Sequence, residues 1–426
     1  MQTSPILYAG ALMVSLAAAP VRAQEPPAPL SLQEALELFG QNSPELRIAR
    51  SRLRSALGSA LQGRAIPNPI ASITNEDLGP YSERYFNLSQ RVDFVWEGGS
   101  RSRRAEARAS EARARFQVDS ARLALDVKRA FVDAWQQGSI VSALNEVDGV
   151  VADVLDDAGA RFAEGDLAGY DLRRLRVARA SVGRRLVRAD VALGEAERRL
   201  GSMVSGDATL SRVRPAVSLA SGAIRGAASL LADRVTDRVA VDRALARRPE
   251  LAAARAATDA LAAEASLART SRLSGTAVTG GFKQQSDGRS GLFLGVQLPI
   301  PVIDRRAGAV EAASAEVDRA ESELDLQRIV VAREASLANA RLAGAERQRA
   351  LLGDSGIEQA AELLRIARIA YEEGEMGIVE LVDAADAFLE ARLLDTSVRA
   401  DLMHAIHELE HAMGGFSPET DDGAER

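Results

Sequence analysis

YFNLSQRVDFVW, residues Tyr85–Trp96, is the stretch that decides what this chain builds. Phe86, Leu88, Val92, Phe94 and Trp96 alternate with Asn87, Ser89, Arg91 and Asp93, the two-residue rhythm of a strand with one greasy and one polar face. Ile70–Glu76 is placed to pair with it. A second pair lies in TAVTGGFKQ (276–284) and GLFLGVQLP (291–299), joined by the polar loop SDGRS, although Phe293 interrupts the apolar set Leu292, Leu294, Val296 and Leu298. Each half of the chain thus supplies one hairpin. Four strands of roughly ten residues can cross an outer membrane, yet such barrels start at about eight strands. Several copies must therefore share one barrel, and three would contribute about twelve strands with no unpaired edge left in lipid. The alternative is a soluble protein whose hairpins pack beside its helices, with Phe94 and Trp96 under a covering surface.

Proline placement outlines the rest, because proline breaks helix interiors. None occurs between Pro80 and Pro215 or between Pro301 and Pro418. In the first gap Ala114, Val118, Ala121, Leu125, Val132 and Trp135 follow coiled-coil spacing, with a second stripe through Phe116, Leu123, Val127, Ala130 and Ala134 beside it. Two stripes imply neighbours on two sides. The second gap repeats the theme with Val310, Ala313, Val317, Ala320, Leu324 and Val331. A helix from near Gly99 to Glu164 would be on the order of 100 Å long, the dimension of a rod or a wall.

The 426 residues hold 53 basic and 60 acidic side chains, a net charge of -7 that excludes a strongly basic nucleic-acid binder. Aromatics are 4%, which points to closely spaced helices with small residues at their contacts. With no cysteine there are no disulfides, no thiolate metal sites and no lipid-attachment cysteine. Residues 1–23 read as an export signal, an apolar run from Ile6 to Ala19 ahead of VRA, with no Lys or Arg before it. No other run is apolar enough for a spanning helix.

The chain repeats itself. RFAEGDLAGYDL (161–172) matches AYEEGEMGIVEL (370–381), VRAD recurs at 187–190 and 398–401, and SPEL (43–46) answers RPEL (248–251). Matches in a fixed order are the signature of duplication. The expected division is a first repeat at 24–204, with its hairpin at about 70–96 and a tip at about 164–169; a linker at 205–240; a second repeat at 241–415, with its hairpin at about 276–299 and a tip at about 373–378; and a disordered tail at 416–426.

In SPEL with IPNP (66–69), SQRVDFVWEGGSR (89–101), LPIPVIDRRAG (298–308) and the paired glycine turns, residues 30–415 resemble the TolC-like outer membrane factor family, and within it the CzcC-like branch of heavy-metal cation efflux. The resemblance implies a mainly α fold with a small β part: a homotrimer whose long coiled-coil α-helical barrel crosses the periplasm below a twelve-stranded barrel in outer-membrane lipid. It implies no enzymatic activity and no cofactor. Its partners would be a periplasmic adaptor (membrane fusion) protein and an inner-membrane pump of the RND type, and its cargo heavy-metal cations, with drugs or other small molecules as the alternative. Lipid would meet Phe86, Leu88, Val92, Phe94 and Trp96; the adaptor would meet the tips Gly165, Asp166, Leu167 and Gly374, Glu375, Met376, Gly377; and Asp171, Glu380 and Asp383 would form the periplasmic gate, where threefold symmetry turns each carboxylate into a ring. Some relatives carry an arginine at the position of Met376. A periplasmic coiled-coil scaffold that never enters the membrane is the rival reading.

One motif points elsewhere. His407–His411, HELEH, fits the HExxH pattern of zinc proteases, and His404 completes a three-histidine stripe that could hold a transition metal. The stripe ends the last long helix, while its first-half counterpart LGEAERRL (193–200) has no histidine. Peptidase chemistry is not the expectation, and neither is a metal site.

Overall fold

The computed structural model describes residues 29–77, 79–206, 212–216, 235–271, 274–352 and 355–415. The export signal expected at 1–23, most of the 205–240 linker and the tail at 416–426 lie outside these residues. The first half runs α1 (Leu32–Asn42), α2 (Pro44–Arg64), β1 (Ile70–Asp77), β2 (Ser82–Arg91), α3 (Phe94–Glu164) and α4 (Gly169–Ser205). The second half repeats that order as α5 (Asp237–Arg247), α6 (Pro249–Thr270), β3 (Ala277–Gln285), β4 (Ser290–Gln297), then α7 (Ala307–Leu352) with α8 (Ser355–Glu372), and finally α9 (Ile378–Ala412).

Local chemistry sets the starts of the helices. Ser31 and Glu34 form a reciprocal capping box at α1. Ser43 caps α2 through the Leu46 amide at 3.2 Å, with Pro44 in the first helical position where its missing N–H costs nothing. The two stripes of α3 do bury on two sides. Val127, Ala130 and Ala134 pack with Ala35, Phe39 and Leu200, whereas Val132 and Trp135 pack with Ala400 and Met403 of α9. Nearer the sheet, Ala60, Ala105 and Ala109 make an alanine seam between α2 and α3, so the backbones approach closely without large side chains.

The helices form a wall rather than a ball. In its upper part the neighbours run α2–α3–α6–α7, and in its lower part α4–α3–α9–α8. The strands make one antiparallel sheet in the order β1–β2–β3–β4. Its register aligns Ile73, Phe86, Phe282 and Leu292 in one row and Ala71, Leu88, Gly280 and Leu294 in the next.

One expectation is corrected. Strand β2 ends at Arg91, so Val92 lies between elements and Phe94 and Trp96 belong to the first turn of α3, not to a strand reaching 96. The cause is tertiary. Asp93 is fully buried and accepts from the Gly275 amide at 3.1 Å and from Arg91 Nε at 3.0 Å, while the Val92 amide donates to the Thr276 carbonyl at 2.9 Å. The chain is pinned to the α6–β3 junction there, and the Glu97 amide then donates to the Asp93 carbonyl, opening the helix at 2.9 Å.

Phe293 also finds its explanation. It stands on the opposite face from Leu292 and Leu294, and its ring lies over Gly281, where a Cβ would come within 2.5 Å of the ring and 2.7 Å of the Phe86 carbonyl oxygen. Replacing Gly281 with Ala should therefore loosen the β2–β3–β4 pairing. The expected outcome is a lower temperature for loss of the heat-modifiable gel band, with full helix content retained by circular dichroism.

Candidate functional site

The sheet has two chemically opposite faces. One carries Ala71, Ile73, Phe86, Leu88, Val278, Phe282, Leu292, Leu294 and Val296, and its large side chains are mostly exposed. The other carries Ser72, Thr74, Asn87, Ser89, Thr279 and Gln285 around a charged cluster: Lys283 Nζ lies 2.7 Å from Glu83 Oε2, Gln285 Nε2 donates to Glu83 Oε1 at 2.7 Å, and the Lys283 ammonium sits over the Tyr85 ring. Of the residues expected to face lipid, Phe86 and Leu88 stand on the apolar face, and Trp96 is partly exposed on α3. No helix among the described residues is long and apolar enough to cross a membrane.

At the other end of the wall the two tips lie side by side. Gly165 (φ 86°) and Gly374 (φ 79°) adopt the left-handed backbone that lets α3 and α8 stop and reverse. Leu167 and Met376 are half-buried against the apolar cluster of Leu172, Tyr371, Ile378 and Leu381, so only part of each is available to a partner. Asp166, Glu375 and Gly377 are exposed. Asp171 is half-buried, and Glu380 and Asp383 are exposed. Asp171 and Glu380 each occupy the third residue of a helix whose N-cap, Ala168 or Gly377, makes no side-chain hydrogen bond. An acid there stabilises the exposed amides of the first turn. The sequence pattern did not reveal this role.

Sequence reasoning also missed the link between the tips. Arg161 of α3 donates to the Tyr371 carbonyl at 3.5 Å and lies 5.7 Å from the centre of its ring. Tyr371 is buried with no partner for its hydroxyl among the described residues; burial pushes its phenol up, Arg161 opposes the shift, and Asp171 and Asp157 add to it. The repeat alignment sets Tyr371 opposite Phe162, which is exposed, so symmetry alone gave no signal.

The HELEH stripe disperses. His404 Nε2 meets Asp133 of α3 at 3.1 Å, His407 Nδ1 meets Glu410 at 3.3 Å, and His411 points to Glu250 of α6 at 3.9 Å. Glu408, the would-be catalytic glutamate, is held by Arg129 at 2.9 Å and Arg341 at 2.8 Å. Lys128 closes the network on Glu410 at 2.6 Å. Among the described residues no three His, Asp or Glu side chains are arranged to hold a metal. The stripe ties the end of α9 to α3, α6 and α7.

A four-stranded sheet with one apolar and one polar face, set on a wall of very long helices, has known counterparts. Residues 240–415 match the family described as Outer membrane efflux protein. The chain is 25% identical to the cobalt-zinc-cadmium resistance protein CzcC of Cupriavidus metallidurans over 401 residues, 93% of this chain and 92% of that one. Its fold is similar to a solved CusC structure described in terms of transmembrane channel formation (TM-score 0.70, 15% identity, 91% and 93% of the two chains) and to the Campylobacter jejuni CmeC outer membrane channel (TM-score 0.70, 14% identity, 99% and 96%). Residues 240–415 are thus similar in sequence to outer membrane efflux proteins, and the whole fold is similar to an outer membrane channel.

The network around HELEH makes stability depend on pH. Burial would push the Glu410 carboxyl up, but His407 and Lys128 outweigh it and hold it at about 2. Burial and then Arg248 push His411 below its ordinary 6.5, against Glu250. For both groups the unfolded chain takes up its proton at higher pH than the folded one, so stability is full above the unfolded values and falls with acidification, first below 6.5 at His411 and then from 4.5 towards 2 at Glu410. Unfolding followed by circular dichroism across this range should show Glu410→Gln losing the lower limb, which accounts for up to about 3 kcal/mol.

Proposed function

We propose that three copies of the chain close into one conduit, a twelve-stranded barrel through the outer membrane above a helical tunnel in the periplasm, and that this conduit is the passive exit of a tripartite efflux assembly. One observation carries the proposal. At every level the wall ends in a first-half element on one side and a second-half element on the other: β1 and β4 in the sheet, α2 and α7 above, α4 and α8 below. Unlike edges facing the same way at each level suit head-to-tail contact, which closes into a ring. Exposed apolar side chains mark those edges, among them Leu61 on α2, Leu326 and Ile329 on α7, Val177 and Val187 on α4 and Leu363 on α8. Two copies would give about eight strands, a barrel filled by its own side chains, whereas about twelve leave an open lumen.

In this conduit the polar sheet face lines the lumen and the apolar face meets lipid. Heavy-metal cations are the proposed cargo, supported by the likeness to CzcC and by the acids Asp171, Glu380 and Asp383, whose threefold rings would attract cations at the periplasmic mouth. The pump, of the RND type, supplies the energy through an adaptor that meets the tips at Gly165–Leu167 and Gly374–Gly377. With Leu167 and Met376 half-buried, the surface left to the adaptor is largely acidic, through Glu164, Asp166, Glu373 and Glu375, and calls for basic residues in return. The two-repeat division at 24–204 and 241–415 belongs to the same proposal.

Fractionation tests the architecture: the chain should sediment with the outer membrane and migrate as a heat-modifiable trimer, and a freely soluble periplasmic monomer would defeat the proposal. For the gate, planar-bilayer recordings should find a cation-selective channel whose reversal potential moves towards zero in the Glu380→Gln, Asp383→Asn double variant, with the same variant lowering metal tolerance in cells.

A further inference from the structure

The apolar row of β4 does not stop where the strand stops. Leu292, Leu294 and Val296 share the outward face of the sheet, and beyond the last paired residue, Gln297, the same alternation continues through Leu298, Ile300 and Val302. All six are exposed, and Ile303 beside them is 96% exposed. Pro299 and Pro301 fill the intervening positions, removing two N–H groups that an unpaired segment would otherwise strand in lipid. The Val302 amide donates to the Ile300 carbonyl at 2.8 Å as the chain bends. The strap then ends in Asp304, Arg305 and Arg306, all exposed.

That turn is held, not loose. Arg306 is the residue other than glycine with a left-handed backbone among those described (φ 56°), and its amide donates to Asp304 Oδ1 at 2.8 Å. Neither Arg305 nor Arg306 forms an ion pair with a described residue, although Arg306 acts on the buried Glu97 through its charge. The first half takes another course at the matching point, entering α3 directly, with Val95 and Trp96 exposed on its first turn.

We propose that Leu298–Arg306 is a membrane-interface strap: Leu298, Ile300, Val302 and Ile303 enter the acyl region of the periplasmic leaflet, and Arg305 and Arg306 bind the phosphates of anionic phospholipid. The inference rests on the sheet spanning the membrane as proposed above. Depth supports it. At ~3.3 Å per residue and a strand tilt of ~40°, the row from Leu292 to Val296 covers only about 10 Å of membrane depth, whereas the row to Ile300 covers about 20 Å of an apolar band about 25 Å tall. Ring closure does not cover these side chains, because neighbouring strands pair edge to edge in the plane of the sheet and leave its faces free. Two arginines without an ion pair to a described residue, directly after an exposed apolar stretch, match the headgroup level in position and in charge.

The trimer reconstituted in nanodiscs tests this. In a background of Trp96→Phe and Trp135→Phe, a single tryptophan is placed by Ile303→Trp, by Leu294→Trp as a reporter of the sheet itself, or by Ala107→Trp on α3 as a reporter of the aqueous side. Phosphatidylcholine brominated on its acyl chains should quench the Ile303→Trp probe nearly as well as the Leu294→Trp probe and leave Ala107→Trp bright. Quenching at Leu294→Trp alone would overturn the strap while leaving the conduit standing, and would mean that a neighbouring subunit covers it. No quenching at either position would instead sink the membrane-spanning reading beneath it. For the headgroups, trimer extracted from mixed phosphatidylglycerol and phosphatidylcholine should retain phosphatidylglycerol several-fold over its bulk fraction, and Arg305→Gln with Arg306→Gln should bring that ratio close to one. Equal retention by wild type and variant would remove the arginines from the proposal.

Discussion

A strand edge in lipid has no water to bond with, and in the proposed conduit this constraint governs the molecule. Four antiparallel strands leave the outer sides of β1 and β4 without partners among the described residues, none of which covers the apolar face that the sheet turns outward. The helices obey the same logic. Their wall has open edges at α2 and α7 and again at α4 and α8, with α1 packed on α3 and α4, so in the proposed conduit one copy is a stave.

A wall of helices set side by side shelters few large side chains, Phe39, Phe131, Trp135 and Phe388 among them, which accounts for the scarcity of aromatics and the run of alanines at its seams. Ala60, Ala105 and Ala109 bring α2 and α3 close, and Ala124, Ala134 and Ala335 are wholly buried at helix contacts. Where apolar area is short, charge fixes the register. Lys128, Arg129, Arg248 and Arg341 hold Glu410, Glu408, Glu250 and Glu334 across four helices at the end of α9, and the histidines there belong to that joint.

Much of this could be read from the sequence because it is periodic. Alternation found β1 to β4, and the two stripes of α3 announced two neighbours. What escaped was decided by contacts distant in sequence. Val92, Phe94 and Trp96 keep the strand rhythm on paper, but buried Asp93, fastened to Gly275 across 182 positions, ends the strand. Phe293 looked like a fault in the pattern because its partner, the space above Gly281, belongs to the next strand. HELEH shows the reverse case: spacing along one helix placed the histidines correctly, and the carboxylates on neighbouring helices decided what they do.

The acids near the tips combine a local and a collective role. In the proposed conduit each would face two copies of itself, and the repulsion within such a ring pushes the wall outwards. Asp171 and Glu380 sit in the first turn of α4 and α9, where the unpaired amides lend partial positive charge and offset part of that repulsion. Asp383 lies one turn deeper, beyond the reach of that support, which fades within the first turn. Of the three rings, the one at Asp383 therefore carries the least compensated charge. In the proposed conduit that ring would work as a spring against closure, while the Arg161–Tyr371 contact binds the two tips of one copy together from within.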